Sequence, residues 1–203
     1  MKTYQKTTVT TEPRLVIRYD EDIESPREWG PIGYFFTKSS RYNSPDGKDH
    51  ELYRIMLEAE EEATDTASHI EAIKRLAKKE YKETKDEDLN IVAIYPTYMY
   101  EHSNVVYRRG TAKGFDYSNN GFYIVTKKSL NGEKHTTKKL EAIIDGELET
   151  YTKWANGEVY GFFLYDQDGE EIDACGGFYD IDDIKEHLPE EWANENLSSY
   201  IKY

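Results

Sequence analysis

Residues 140–179 read LEAIIDGELETYTKWANGEVYGFFLYDQDGEEIDACGGFY, and two periodicities meet in them. Leu140, Ile143, Ile144, Leu148, Tyr151 and Trp154 recur at the spacing of one helix face, and Asn156-Gly157 supplies the left-handed backbone that commonly ends a helix. Val159 to Tyr165 and Glu170 to Tyr179 are β-prone and flank an Asp168-Gly169 turn. A helix followed by two antiparallel strands is therefore expected. The fold class that follows is α+β: a mixed or antiparallel sheet with three to four helices and a C-terminal helix-hairpin unit.

Upstream, the pattern agrees with that class. Residues Thr7 to Tyr19 are β-prone, and Ser25-Pro26-Arg27-Glu28 has capping-box spacing with proline at the first helical position. Trp29-Gly30-Pro31 stops that turn, Gly33-Tyr34-Phe35-Phe36 reads as a buried strand, and Ser44-Pro45-Asp46-Gly47 reads as a turn. Asp49 to about Lys82 predicts two helices, with Leu52, Ile55, Met56 and Ala59 on one face, Ala67, Ile70, Ile73, Leu76 and Ala77 on another, and a break at Thr64-Asp65-Thr66. Lys82 to Asp88 is a charged loop. Ile91 to Tyr95 and Gly121 to Val125 predict strands joined by a long polar connection carrying Tyr98, Tyr100, Tyr107 and Phe115. Asp180 to Trp192 predicts a short helix broken near Pro189.

A chain of 203 residues suits one domain, 1–203, with 83–90 as the place where it would subdivide. Met1 to Arg14 contains no apolar run and no stretch approaches the roughly 20 apolar residues of a bilayer span, so a cytoplasmic protein without membrane contact is expected. The lone Cys175 excludes a disulfide framework and any zinc site built on two cysteines within this chain. His50, His69, His102, His135 and His187 lack ligand spacing, and the glycine in Asp166-x-Asp168-Gly169 is misplaced for an EF-hand, so no metal or other cofactor is expected.

Charge is the strongest functional signal. The chain holds 26 Lys+Arg against 40 Asp+Glu, a net charge of −14. Residues 166–195 concentrate the excess: Asp166, Asp168, Glu170, Glu171, Asp173, Asp180, Asp182, Asp183, Glu186, Glu190, Glu191 and Glu195 stand against Lys185 alone. Because Ile172, Phe178, Tyr179, Ile184, Leu188 and Trp192 are threaded through it, this block reads as a folded acidic surface rather than a disordered tail. A basic partner fits it, with Tyr179 and Trp192 as aromatic anchors. Glu58, Glu60, Glu61 and Glu62 add a second acidic stretch.

Two other constellations compete with that reading. Residues 101–140 are basic, and Arg108, Arg109 and Lys113 with Tyr98, Tyr100, Tyr107 and Tyr117 have the composition of a single-stranded nucleic-acid surface, although the net charge disfavours direct nucleic-acid binding. Cys175 with His102, and Asp173 as orienting carboxylate, would make a thiolate nucleophile and its base if folding joined them. Neighbouring carboxylates disfavour a thiolate there. No nucleophile elbow, phosphate-binding glycine loop or dinucleotide fingerprint is present.

Several segments resemble a family of uncharacterised proteins encoded by bacteriophages and mobile elements of mostly Gram-positive hosts. These are Ser25-Pro26-Arg27-Glu28-Trp29-Gly30 with Arg41-Tyr42, Tyr98-Met99-Tyr100-Glu101-His102-Ser103, Gly121 to Val125, Gly157-Glu158-Val159-Tyr160-Gly161-Phe162, and Asp173-Ala174-Cys175-Gly176-Gly177-Phe178-Tyr179. The resemblance implies an accessory gene product acting against host defence, CRISPR or restriction. The expectation is a basic, nucleic-acid-binding defence effector as partner, met by an acidic, DNA-mimicking surface; the alternatives are a small Cys/His-dependent enzyme and a single-stranded nucleic-acid binder.

Overall fold

The switch from period 3.6 to period 2 at Gly157 is realised in the backbone. In the computed structural model, which describes residues 14–39, 41–192 and 194–202, helix α3 (Thr137–Ala155) ends with Gly157 at φ 69°. Glu158 N–H donates to Lys153 O at 2.8 Å and Gly157 N–H to Trp154 O at 2.9 Å, so the last carbonyls of the helix are satisfied. Strands β6 (Tyr160–Tyr165) and β7 (Glu171–Phe178) follow as an antiparallel hairpin. The fold is α+β with two antiparallel sheets. Residues 7–13 of the first predicted strand lie outside the described residues.

Ser25–Thr152 form one compact unit; residues 14–24 with 153–202 form the other, and the charged stretch Lys82 to Asp88 lies inside the first. The larger unit has a four-stranded sheet in the order β2-β5-β3-β4, built from β2 (Tyr34–Thr37), β3 (Ile91–Glu101), β4 (Val105–Arg109) and β5 (Tyr117–Thr126). Strand alternation gives it two apolar faces. Phe36, Phe122, Ile124 and Ile94 meet Leu52, Ile55, Met56 and Ala59 of α1 (Glu51–Glu60) and Ile73 and Ala77 of α2 (Thr66–Thr84). On the other face Phe35 lies 5.4 Å from the Tyr107 ring and 5.7 Å from that of Tyr151 on α3, both edge-on. The break expected between the first two helices is a capping box, with Ser68 N–H on Asp65 Oδ1 at 2.8 Å and Asp65 N–H on Ser68 Oγ at 3.0 Å.

The long polar connection expected between Tyr95 and Gly121 is mostly sheet. β3 continues through Pro96 to Glu101, turns at His102–Asn104, and returns as β4. Proline is tolerated because its carbonyl, and with it the place of the missing N–H, points toward Gly110, one residue past the end of β4; Gly110 N–H reaches Pro96 O at 2.7 Å. Thr97, Met99 and Tyr107 turn inward, which leaves Tyr98, Tyr100 and Arg108 on the opposite face.

The smaller unit has sheet order β1-β6-β7, with β1 (Arg14–Tyr19). Its core joins Leu15, Ile17, Phe162, Leu164 and Phe178 to Ile184 and Leu197 from short 3₁₀ segments. The short helix expected over Asp180 to Trp192 is two such segments, Ile181–His187 and Glu190–Trp192. With three residues per turn, Ile181 and Ile184 face inward, and the exposed His187 lies with its ring 5.1 Å from that of Phe178. Leu188, held extended at ψ 155° ahead of Pro189, ends the first segment. No helix among the described residues is long and apolar enough to cross a membrane.

Candidate functional site

The acidic block divides into two groups on the smaller unit. The β6–β7 hairpin carries Asp166, Asp168, Glu170, Glu171 and Asp173; the segments after it carry Asp180, Asp182, Asp183, Glu186, Glu190, Glu191 and Glu195. All but Asp166, which is half-buried, are exposed. The Asp166 carboxylate accepts from Asp168 N–H and Glu170 N–H, both at 2.9 Å, and so shapes the turn; Asp180 caps the next segment through Asp182 N–H at 3.0 Å. Among the described residues one ion pair forms inside the block, Lys185 with Asp182 at 2.9 Å. The others are held on ordered backbone without a cation. Tyr179 and Trp192 are half-buried, and Trp192 packs edge-on to Tyr200 at 5.3 Å with its indole N–H buried and unpartnered, so it serves as floor to the surface more than as a projecting anchor.

The second acidic stretch behaves differently. Glu58 pairs with Arg54 at 2.8 Å, Glu60 with Lys38 at 2.6 Å and Glu62 with Arg75 at 2.5 Å, while Glu61 is exposed. Arg54 also holds Glu51 and Glu80. Those charges are largely answered within the fold.

The nucleophile-and-base constellation is not assembled by any described contact. Cys175 is exposed on β7, and among the described residues its thiol reaches only Gly176 O, at 3.7 Å. Asp173 is exposed on the same strand, and His102 is exposed in the β3–β4 turn of the other unit. An open cleft of about 470 Å³ beside Cys175 is lined by Arg18, Asp20, Gly161, Phe163 and Gly176, without a histidine. No group of three His, Cys, Asp or Glu side chains suited to a metal occurs among the described residues.

The basic middle is split in two. Arg109 is committed to α3: its guanidinium meets Asp145 at 3.0 and 2.9 Å and Glu141 at 3.5 Å, and the hydrogen bond to Asp145 raises its pKa. Arg108 and Lys113 are exposed and carry no ion pair among the described residues.

A polar centre that the sequence did not announce lies in the larger unit. Arg27, with its side chain 4% exposed, donates to Asp46 at 2.8 and 2.7 Å, to Glu147 at 3.0 Å and to Gly33 O at 2.6 Å. Burial works against its charge, but the bonds to Asp46 more than offset this and the guanidinium pKa is raised. Asp46 also receives Phe35 N–H, and Glu147 receives Ile32 N–H and the Tyr123 hydroxyl. The network thereby ties the 25–47 segment to the sheet and to α3. Beside it, a cavity of about 700 Å³ is lined by Arg27, Tyr34, Asp46, His50 and Lys128. Tyr34 and Lys128 both converge on Asp88, at 2.5 and 2.6 Å. His50 Nδ1 accepts Leu52 N–H at 3.1 Å and so caps α1 in its neutral form; burial lowers its pKa. The signals were present in the sequence as polar residues inside proline- and glycine-marked turns, Pro26-Arg27 and Pro45-Asp46-Gly47. Their convergence with Glu147, 120 residues away, was not.

Comparison with protein-family models, with curated proteins and with solved structures returned no match to this chain.

Proposed function

We propose that this protein is a non-catalytic inhibitor that uses the unpaired carboxylates of residues 166–195 to occupy the nucleic-acid-binding surface of a basic partner. The observation that carries the reading is that only Asp182 among those twelve carboxylates has a cation partner among the described residues, while ordered backbone holds them in place. Duplex DNA presents about one negative charge per 1.7 Å of axis, and its binders meet it with arrays of Lys and Arg. A rigid set of carboxylates competes for the same array, and steers the encounter through its field. The resemblance to phage and mobile-element proteins makes a bacterial defence effector, a CRISPR complex or restriction nuclease, the class of partner to test first.

The test is competition. The intact chain, immobilised, should retain such an effector at low salt and release it to duplex DNA or to raised salt. Substituting Asp182, Asp183, Glu186, Glu190 and Glu191 by Lys should abolish retention while the thermal midpoint stays close to that of the parent, because these side chains are exposed. Cys175→Ala should retain the effector fully. Retention that ignores both salt and DNA, or that survives the charge reversal, removes the electrostatic reading; loss of inhibition in Cys175→Ala would replace it with a catalytic one.

A further inference from the structure

The described surface of the larger unit has a second feature that electrostatic mimicry does not use. Tyr98 and Tyr100 of β3, Arg108 of β4 and Tyr117 of β5 share the sheet face opposite α3, with Tyr98 in register with Arg108 and Tyr100 in register with Tyr117. The Tyr117 ring lies 5.1 Å from that of Tyr100 and 5.8 Å from that of Tyr98, giving one continuous aromatic strip. Next to it the loop 110–116 carries Lys113 and Phe115, and Phe115 is wholly exposed. That exposure is built in. Asn119 pins the loop by accepting Ala112 N–H at 2.8 Å and donating to Ala112 O at 2.7 Å, and Glu101 N–H closes its base on Asp116 O at 2.9 Å. Gly114, at φ 142°, lies so near Tyr117 that a Cβ would sit 2.8 Å from the ring. The chain therefore holds a large apolar ring in water on a constrained loop, beside three tyrosines and two cations that have no ion pair among the described residues.

We infer that this strip binds single-stranded nucleic acid. Flat rings without a deep pocket suit base stacking, and about two or three bases fit a platform of this kind. Arg108 and Lys113 flank the rings where phosphates would run, with the guanidinium also able to lie on a base face. Asp116 is the loop's opposing charge, Glu101 is already held by Arg41 at 2.6 Å, and of the two α3 carboxylates that line a cleft with Tyr98 and Arg108, Asp145 is held by Arg109 while Glu149 is the other. Two cations are too few for a duplex binder, which needs an array of phosphate contacts. The strand partner and the acidic surface lie on different compact units, so their tests fail independently.

Fluorescence anisotropy with labelled oligo-dT and oligo-rU of about 12 nucleotides, added to the intact chain at low salt, decides the matter. Binding is expected to at least one of the two, with the duplex of the same labelled oligo-dT and oligo-dA weaker. Phe115→Ala, which removes a wholly exposed side chain and leaves the fold alone, should weaken binding about tenfold. Arg108→Ala should weaken it and reduce the slope of log affinity against log salt by about one. Tyr98→Ala tests stacking directly, with circular dichroism to confirm that the sheet survives. No binding to either oligonucleotide, affinity unchanged in Phe115→Ala and Arg108→Ala, equal binding of the duplex, or binding to anionic vesicles in place of oligonucleotides would each overturn the inference.

Discussion

Residues 25–152 carry twenty-two carboxylates and nineteen Lys or Arg, whereas residues 14–24 with 153–202 carry seventeen carboxylates and five Lys or Arg. The larger unit spends its charges on itself. Arg54 gathers Glu51, Glu58 and Glu80; Arg75 holds Glu62; Lys38 holds Glu60; Arg109 holds Asp145; Lys128 holds Asp88; and Arg27 is buried with Asp46 and Glu147. In the smaller unit the acidic block has Lys185 on Asp182 and no other ion pair among the described residues. An acidic side chain thus has two different meanings in one chain. Where a cation answers it inside the fold, it contributes to structure; where none does, it repels its neighbours and is open to a cation from outside.

The difference is broken most severely at Arg27. Replacing it by Met leaves Asp46, whose side chain is 12% exposed, as a buried charge without its partner, and removal of one member of a buried pair costs about 3–5 kcal/mol. Urea titration should show that loss for Arg27→Met. Lys185→Met in the acidic unit removes the partner of Asp182, which is 71% exposed, and should change stability by no more than about 0.5 kcal/mol. Equal losses in the two variants would mean that the pairing does not separate the units energetically.

A smaller effect is expected from His50. Burial lowers its pKa in the fold, and Lys128 acts in the same direction, while Asp88, Asp46 and Asp86 work against both. The unfolded chain therefore takes up the proton first, so the contribution is present above about pH 6.5 and is lost as pH falls below it. Denaturation midpoints measured from about pH 7.5 down to about pH 5.5 should fall, and His50→Asn, which keeps a capping side chain at the start of α1, should flatten that dependence. A midpoint that rises on acidification, or an undiminished slope in His50→Asn, would show that His50 is not the group responsible.

Much of the local structure was legible because its causes are local. Period 3.6 from Leu140 to Trp154, the stop at Asn156-Gly157, the Asp168-Gly169 turn and the cap at Asp65 each depend on residues within one or two turns of one another. The exposure of the acidic block was legible for the same reason, since Phe178 and Ile184 mark its inner side, although Ile172, expected beside them, is exposed. What the sequence concealed is pairing across distance. Arg54 with Glu80, Lys38 with Glu60 and Arg27 with Glu147 join residues 26, 22 and 120 positions apart, so the second acidic stretch looked as open as the first. Pro96 hid the extension of β3 and with it the whole of β4, and thereby turned an aromatic sheet face into an apparent loop.

The finest test of the contrast uses salt. Raising ionic strength from about 0.05 to about 0.5 M shortens the Debye length well below 10 Å, which weakens attractive exposed pairs and repulsive ones alike. In α1 and α2 Arg54 and Arg75 are paired with Glu51, Glu58, Glu80 and Glu62, so amide exchange there should quicken with salt; in the β6–β7 pair the charged residues are Glu171 and Asp173, of one sign, so exchange should slow. Exposed pairs contribute about 0.2–1 kcal/mol each, and exchange rates should therefore move by roughly two- to fivefold in opposite directions, read peptide by peptide by mass spectrometry. Reducing the charge of the acidic unit with Asp183→Asn and Glu186→Gln should remove part of the slowing in β6 and β7 and leave α1 and α2 unchanged, because neither side chain has a cation partner among the described residues to lose. If both units respond to salt with the same sign, the carboxylates of residues 166–195 are compensated in some way that their geometry does not reveal, and they have no unmet charge to offer a basic partner.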